Sequence, residues 1–201
     1  MSRIAIMLVV VGLTLGCSKA PSPEPSVLRL PAIGAETSCD LKIGERFPKI
    51  EAIDIDEQNR VLNESLYGER LTLIVFWSTW CGFCMDELPH EIALSRTYED
   101  RGLRVIGVNA DVDARTARSA AEATGVPWLN LYEGEQRRIS SQLGVEAWPA
   151  LFLLDSEGRI IATDDFLRNT TVRVLEGGEH VATLRLDWTL EELLNGPKGQ
   201  Q

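Results

Sequence analysis

The chain has 201 residues, enough for one well-buried domain with appendages, and its 44% apolar and 25% charged content is that of a globular protein, not a disordered one. A formal net charge of −10 argues against a nucleic-acid partner and suits a soluble domain that does not adhere non-specifically.

The first segment does not belong to that domain. Arg3 precedes "IAIMLVVVGLTLG", an uncharged apolar run too short for a comfortable membrane span but of signal-peptide length. It leads directly into Cys17, and the string "LTLGC" resembles the lipobox of bacterial lipoproteins, where a small residue precedes a cysteine that is lipidated and becomes the mature N-terminus. Gly16 fits that pattern, while Thr14 stands where leucine is commoner; the competing reading is a plain secretory signal with an incidental cysteine. "SKAPSPEPS" follows, with three prolines among small or charged residues, and reads as an extended tether that cannot bury a core. The expected layout is a signal peptide at 1–16, a lipidated N-terminus and tether at 17–38, a folded domain at 39–196 and a tail at 197–201. This places the protein in the cell envelope, held to a membrane by lipid, with its domain outside the cytoplasm on the periplasmic side. Ser18 is not the aspartate of an inner-membrane retention signal, so the choice of membrane stays open.

From residue 41 the pattern becomes regular. "KIGERFPKIEAIDID" and "EQNRVLNESLYGE" read as a short hairpin and turn, and "RLTLIVFWS" as a strand buried on both faces. "CMDELPHEIALSRTYEDRG" reads as a helix starting at the cysteines, kinked near Pro89 and capped by Gly102. "LRVIGVNAD" is a second buried strand, "DARTARSAAEATG" a helix ending at Gly125, "PWLNLYE" a short strand and "RRISSQLGV" a short helix. "PALFLLDSEGRIIATDDF" reads as a hairpin turning at "SEG". "LRNTTVRVLEGGEHVATLRLDW" suggests another hairpin around Gly177-Gly178, and "TLEELLNG" a last helix with Thr189 and Glu192 as a capping box. Strands alternating with helices, then hairpins and a helix, indicate an α/β fold with a central mixed sheet flanked by helices.

Export changes what the cysteines can be for. With Cys17 assigned to lipid, Cys39, Cys81 and Cys84 remain, an odd number. A bond between Cys81 and Cys84 closes so short a loop that it would constrain the unfolded chain little, so structural stapling is a poor reading. A structural zinc site needs four ligands, and only Cys39, His90 or His180 could join a lone CxxC; neither metal nor cofactor is expected. The peroxidatic pattern P-x-x-x-[ST]-x-x-C has Ser78 in place but Ile74 where proline belongs, and copper-delivery proteins of the Sco type use the longer C-x-x-x-C. What does fit is thiol–disulfide exchange. The pair lies where a buried strand meets a helix N-terminus, where free N–H groups and the helix dipole favour a thiolate at the first cysteine. The second cysteine, one turn on, can resolve a mixed disulfide, and Trp80 supplies an apolar lip for a partner.

"VFWSTWCGFCMDELP", "LRVIGVNAD" and "GVEAWPALFLLDSEGRI", in that order, resemble the TlpA/ResA/DsbE branch of the thioredoxin superfamily over roughly residues 41–163. The resemblance implies a thioredoxin-like fold with the family's αβ insert at about 114–132, to which the hairpin at 167–188 would be an addition. It further implies that Cys81 is the exposed nucleophile and Cys84 the resolving cysteine. Pro149 would be a cis-proline beside the dithiol, and with Trp148 and Trp80 it would form the substrate-binding wall. Glu87, one turn beyond Cys84, corresponds to the family's acidic residue and could carry that cysteine's proton; a solvated first-turn glutamate is the competing reading. Asp86 and His90 read as surface residues. Val75 replaces thioredoxin's buried aspartate, and Gly82-Phe83 replaces Gly-Pro. The implied activity is reduction of disulfides in envelope proteins, fed by a membrane electron donor, with cytochrome c maturation one candidate pathway. An oxidase or isomerase using the same pair, or a non-enzymatic binding module on the same fold, are the alternatives.

Overall fold

The computed structural model describes residues 41–168, 170–174 and 180–195. The expected signal peptide at 1–16, Cys17, the expected tether, Cys39, the expected turn at Gly177-Gly178 and the tail lie outside the described residues. Among the described residues, no helix is long and apolar enough to cross a membrane.

The sheet is built outward from "LTLIVFW". All seven residues of this strand, β3 (Leu71–Trp77), are buried, as its unbroken apolar pattern requires of a strand covered on both faces. On one side it pairs in parallel with β4 (Leu103–Asn109), on the other antiparallel with β6 (Ala150–Asp155). Beyond β4 comes β5 (Leu129–Tyr132), parallel to it. Then follow β1 (Ile50–Asp54), antiparallel to β5, and β2 (Asn59–Leu62), antiparallel to β1. β7 (Ile160–Thr163) closes the opposite edge against β6. The resulting seven-stranded order is β2-β1-β5-β4-β3-β6-β7, a mixed sheet in which the expected insert supplies β5 between β1 and β4. β8 (Thr170–Val174) and β9 (His180–Leu184) pair antiparallel as a separate two-stranded sheet, the extra hairpin anticipated from the alternating pattern.

One face of the sheet carries a core in which the Phe152 ring meets Phe47 at 5.5 Å and Phe76 at 5.8 Å, both edge-on. The centre of the sheet also holds a polar peg. The indole of Trp77 donates to Asn130 Oδ1 at 2.8 Å, and both residues are buried. Gly107 of β4 makes room for it, since a Cβ there would overlap that same oxygen.

The helices are α1 (Gly82–Tyr98), α2 (Ala114–Thr124), α3 (Arg138–Leu143), α4 (Asp164–Leu167) and α5 (Arg185–Asn195). α1 is continuous through Pro89. A short 3-10 turn follows it before Gly102, whose φ of 91° provides the left-handed stop. α2 is capped by the Asp113 carboxylate, which accepts from Thr116 N–H at 2.8 Å, and ends at Gly125 with φ 74°. The last helix departs from expectation. It starts at Arg185, about one turn before the supposed capping box, so Thr189 is a fully buried helical residue and not an N-cap. The S/T-x-x-E spacing recurs inside amphipathic helices, and here burial of Thr189 decided its place.

Candidate active site

The dithiol is placed by the end of β3. Cys81 is the N-cap of α1, and Cys84 lies in its first turn. The two are joined as a disulfide, and the Cys84 N–H points at Cys81 Sγ at 3.1 Å. In this oxidised form both are buried, Cys81 at 7% exposure and Cys84 at 2%, so Cys81 is the more accessible sulfur without being openly exposed. A thiolate on Cys81 would sit against the same N–H and the positive end of a helix of 17 residues.

The loop leading into the cysteines is held by the neighbouring strand end. Asp111 is buried, and its Oδ1 accepts from the Thr79 N–H at 3.0 Å and the Thr79 hydroxyl at 2.7 Å. Asn109 Nδ2 donates to the other carboxylate oxygen at 3.0 Å, and the Trp80 indole donates to the Ala110 carbonyl at 3.2 Å. Sequence reading took "NAD" only as the end of a strand. A short polar run at the carboxyl end of a parallel strand is where a site-supporting residue would be sought.

On the facing side, the Trp148–Pro149 peptide is cis. Trp148 and Trp80 meet edge to face at 5.6 Å, and the Arg137 guanidinium lies over both rings, at 4.9 Å from Trp80 and 4.6 Å from Trp148. Arg137 takes a left-handed backbone, φ 48°, to do so. Trp80 is 50% and Phe83 72% exposed, so the rim of the dithiol is aromatic and open. The sequence-predicted residues Trp80, Cys81, Cys84, Trp148 and Pro149 are thus brought together. Arg137 was not foreseen, because its contacts cross between elements distant in sequence.

Glu87 is not simply solvated. Its Oε1 accepts from Arg168 Nη2 at 3.0 Å, while Arg168 Nη1 donates to the Pro149 carbonyl at 3.2 Å and lies 3.7 Å from Asp164. One guanidinium, from the residue after α4, therefore joins the acidic residue of α1 to the proline loop. Asp86 is exposed, as expected of a first-turn acid. His90 is not a plain surface histidine, since its Nε2 lies 3.1 Å from Asp187 of α5 and that carboxylate holds its pKa above the usual imidazole value. Glu91 was overlooked altogether, although it is 3% exposed and its pKa is pushed up to about 8, first by burial and then by the charge of Glu87. Counting positions 84, 88, 91, 92 and 95 along one helix face would have marked it as a core acid. Among the described residues no three His, Cys, Asp or Glu side chains converge as a metal cage.

A dithiol that caps a helix at the end of a central strand, across from a cis-proline at the start of the adjoining one, performs electron-pair exchange between sulfurs; the molecule is a thioredoxin-like thiol–disulfide oxidoreductase. The comparisons with known proteins agree. Residues 42–175 match the Redoxin family, and the chain belongs to it. It is 26% identical over 137 residues to the thiol-disulfide oxidoreductase ResA of Bacillus thuringiensis (strain Al Hakam), covering 68% of this chain and 76% of that one. It is 30% identical over 120 residues to the thiol:disulfide interchange protein DsbE of Escherichia coli (strain K12), covering 59% and 62%. The solution structure of a thiol:disulfide interchange protein from a Bacteroides species superposes with a TM-score of 0.62 at 24% identity, covering 79% of this chain and 93% of that one, and shows the shared fold.

Proposed function

We propose that the protein is an exported, lipid-anchored oxidoreductase that reduces disulfides of envelope proteins. Its exchange chemistry is carried by the asymmetry of the dithiol: Cys81 caps the helix and keeps 7% exposure beside an open aromatic rim, whereas Cys84 keeps 2%. In the reduced enzyme the Cys81 thiolate attacks one sulfur of a substrate disulfide. A mixed disulfide forms, and the other substrate sulfur leaves as a thiolate that takes a proton from solvent. Cys84 then gives its proton to Glu87 and attacks Cys81 Sγ. The intrachain disulfide closes, and the second substrate sulfur leaves and is protonated. Two electrons have passed to the substrate. Trp80, Trp148 and Pro149 form the wall along which the substrate segment lies, and Arg168 holds Glu87 and the proline loop in register.

A membrane electron donor returns the enzyme to the dithiol. The lipid on Cys17 and the tether at 17–38 keep the domain near that donor on the periplasmic side. Relatives named thiol-disulfide oxidoreductase and thiol:disulfide interchange protein support the exchange chemistry. The reductive direction, with cytochrome c maturation as the candidate pathway, is what the resemblance to the TlpA/ResA/DsbE branch implies.

Trapping tests the reading. Cys84→Ala should accumulate mixed disulfides on Cys81 in an envelope extract, with partners that are oxidised in cells lacking the protein. Partners found reduced in such cells would assign it instead as an oxidase, and insulin reduction at equal rates by wild type and Cys81→Ala would remove the dithiol from the chemistry. Loss of acyl labelling in Cys17→Ala checks the anchor.

A further inference from the structure

We propose that Glu91 is a positioning residue of the dithiol cycle: it holds, in the disulfide form, the proton that is relayed through Glu87 onto Cys84 when the bond is opened. The proposal rests on the dithiol reading above.

The placement is helical. Cys84, Glu87 and Glu91 stand at i, i+3 and i+7 of α1, on one face and spanning about 10 Å along the axis. That face is otherwise apolar or small, with Leu88, Ile92 and Ser95 buried beside Glu91. Burial is the largest influence on the Glu91 carboxyl and disfavours its charged form, and the nearby charges of Glu87, His90, Arg168 and Asp164 act on it as well.

Its surroundings connect it to the site. A cavity of about 20 Å³, enough for one water, is bounded by Glu87, Glu91, Leu151, Leu167 and Arg168. The charged groups facing Glu91 come from three elements. Glu87 and His90 lie on α1, Asp164 and Arg168 come from α4 and its end, and Asp187 of α5 acts through His90. Arg168 already serves Glu87 and Asp164, and so does not hold a third carboxylate. The outcome is a neutral Glu91 beside an ion-paired Glu87, with the buried acid pushed up to about 8, close to an ordinary thiol.

The step balances. An incoming donor thiolate attacks Cys81 Sγ, the Cys81–Cys84 bond breaks, and Cys84 leaves with the electron pair. Glu87, an ion-paired carboxylate, takes the Glu91 proton through the cavity and passes it to that sulfur; Glu91 refills from solvent. In the opposite half-cycle the Cys84 proton goes to Glu87 and out with the departing substrate thiolate.

The experiment is re-reduction of the oxidised full chain by a small dithiol, followed by stopped-flow from pH 6 to 10, in wild type and Glu91→Gln. Taking the ratio of the two rates cancels the donor's own ionisation. The ratio should be about tenfold below pH 7, less than the roughly hundredfold of a complete general-acid loss because Glu87 remains, and should approach one above pH 9. A ratio independent of pH, whatever its size, overturns the proposal, because a structural defect would not titrate. Should the variant fold poorly, the wild-type rate divided by donor thiolate concentration must fall above pH 8, and a flat profile is equally decisive. If the wild type opens no disulfide at all, it is the dithiol reading that fails.

Discussion

Replacing Glu91 by glutamine also separates the burial of a carboxyl from the burial of a charge, and its effect on stability follows from the structure. Below pH 4.5 the carboxyl is protonated in both the folded and the unfolded chain. Between 4.5 and about 8 the unfolded chain releases the proton while the folded chain keeps it, so stability falls as pH rises. The slope is about 1.4 kcal/mol per pH unit, and the accumulated loss is about 3 kcal/mol at pH 7, levelling near 5 kcal/mol above the folded value. Against a typical total of about 5–15 kcal/mol this is a large penalty. Glutamine has no proton to lose. Glu91→Gln should therefore track the wild type near pH 4.5 and exceed it by about 3 kcal/mol at pH 7. Urea unfolding of both proteins, disulfide intact, at pH 4.5, 6 and 7.5 measures the difference directly. Equal differences at all three values would refute the reasoning, since they would mean that the carboxyl is hydrated or paired in the folded chain.

Three further outcomes are expected. Asp111→Ala strips the Thr79 N–H and hydroxyl of their acceptor and should cost about 2 kcal/mol in urea unfolding while slowing insulin reduction, with Asp111→Asn recovering most of both. Gly107→Ala drives a methyl into Asn130 Oδ1 and breaks the bond to Trp77; a loss of about 3 kcal/mol, with a changed Trp77 emission, should be seen by denaturation followed by fluorescence. The His90–Asp187 pair adds stability that is full below pH 6.5 and fades as pH rises through the raised histidine value. With His90 38% exposed, His90→Ala should cost under about 1 kcal/mol at pH 6 and nothing at pH 9, as read from melting temperatures.

Features carried by local pattern were legible in the amino-acid sequence. The β-branched run ending at Trp77 could only be an inner strand, and a dithiol beginning a helix carries its chemistry within four residues. Glu87 was visible because it lies one turn from Cys84, but its partner Arg168 was not, being 81 positions away on a segment whose docking depends on the finished sheet. Asp111 was hidden for the same reason, since it meets Thr79 only because β3 and β4 are paired neighbours. Glu91 escaped because a glutamate on a helix is ordinarily solvated, and only the later packing of α4 and α5 closes it off. Thr189 misled in the other direction: a motif that satisfies helix ends was read where the helix had already begun.

Arg168 has a consequence for where this protein ends as a working object. The last strand of the main sheet stops at Thr163, after both the cysteine loop and the proline loop. The cation that couples those loops comes five residues later. A chain cut after Thr163 would keep the residues of both loops and lose the side chain that joins them. The final helix beyond it is tied to the same body through other side chains, Asp187 against His90 of α1 and Arg70, which donates to the Leu193 and Leu194 carbonyls.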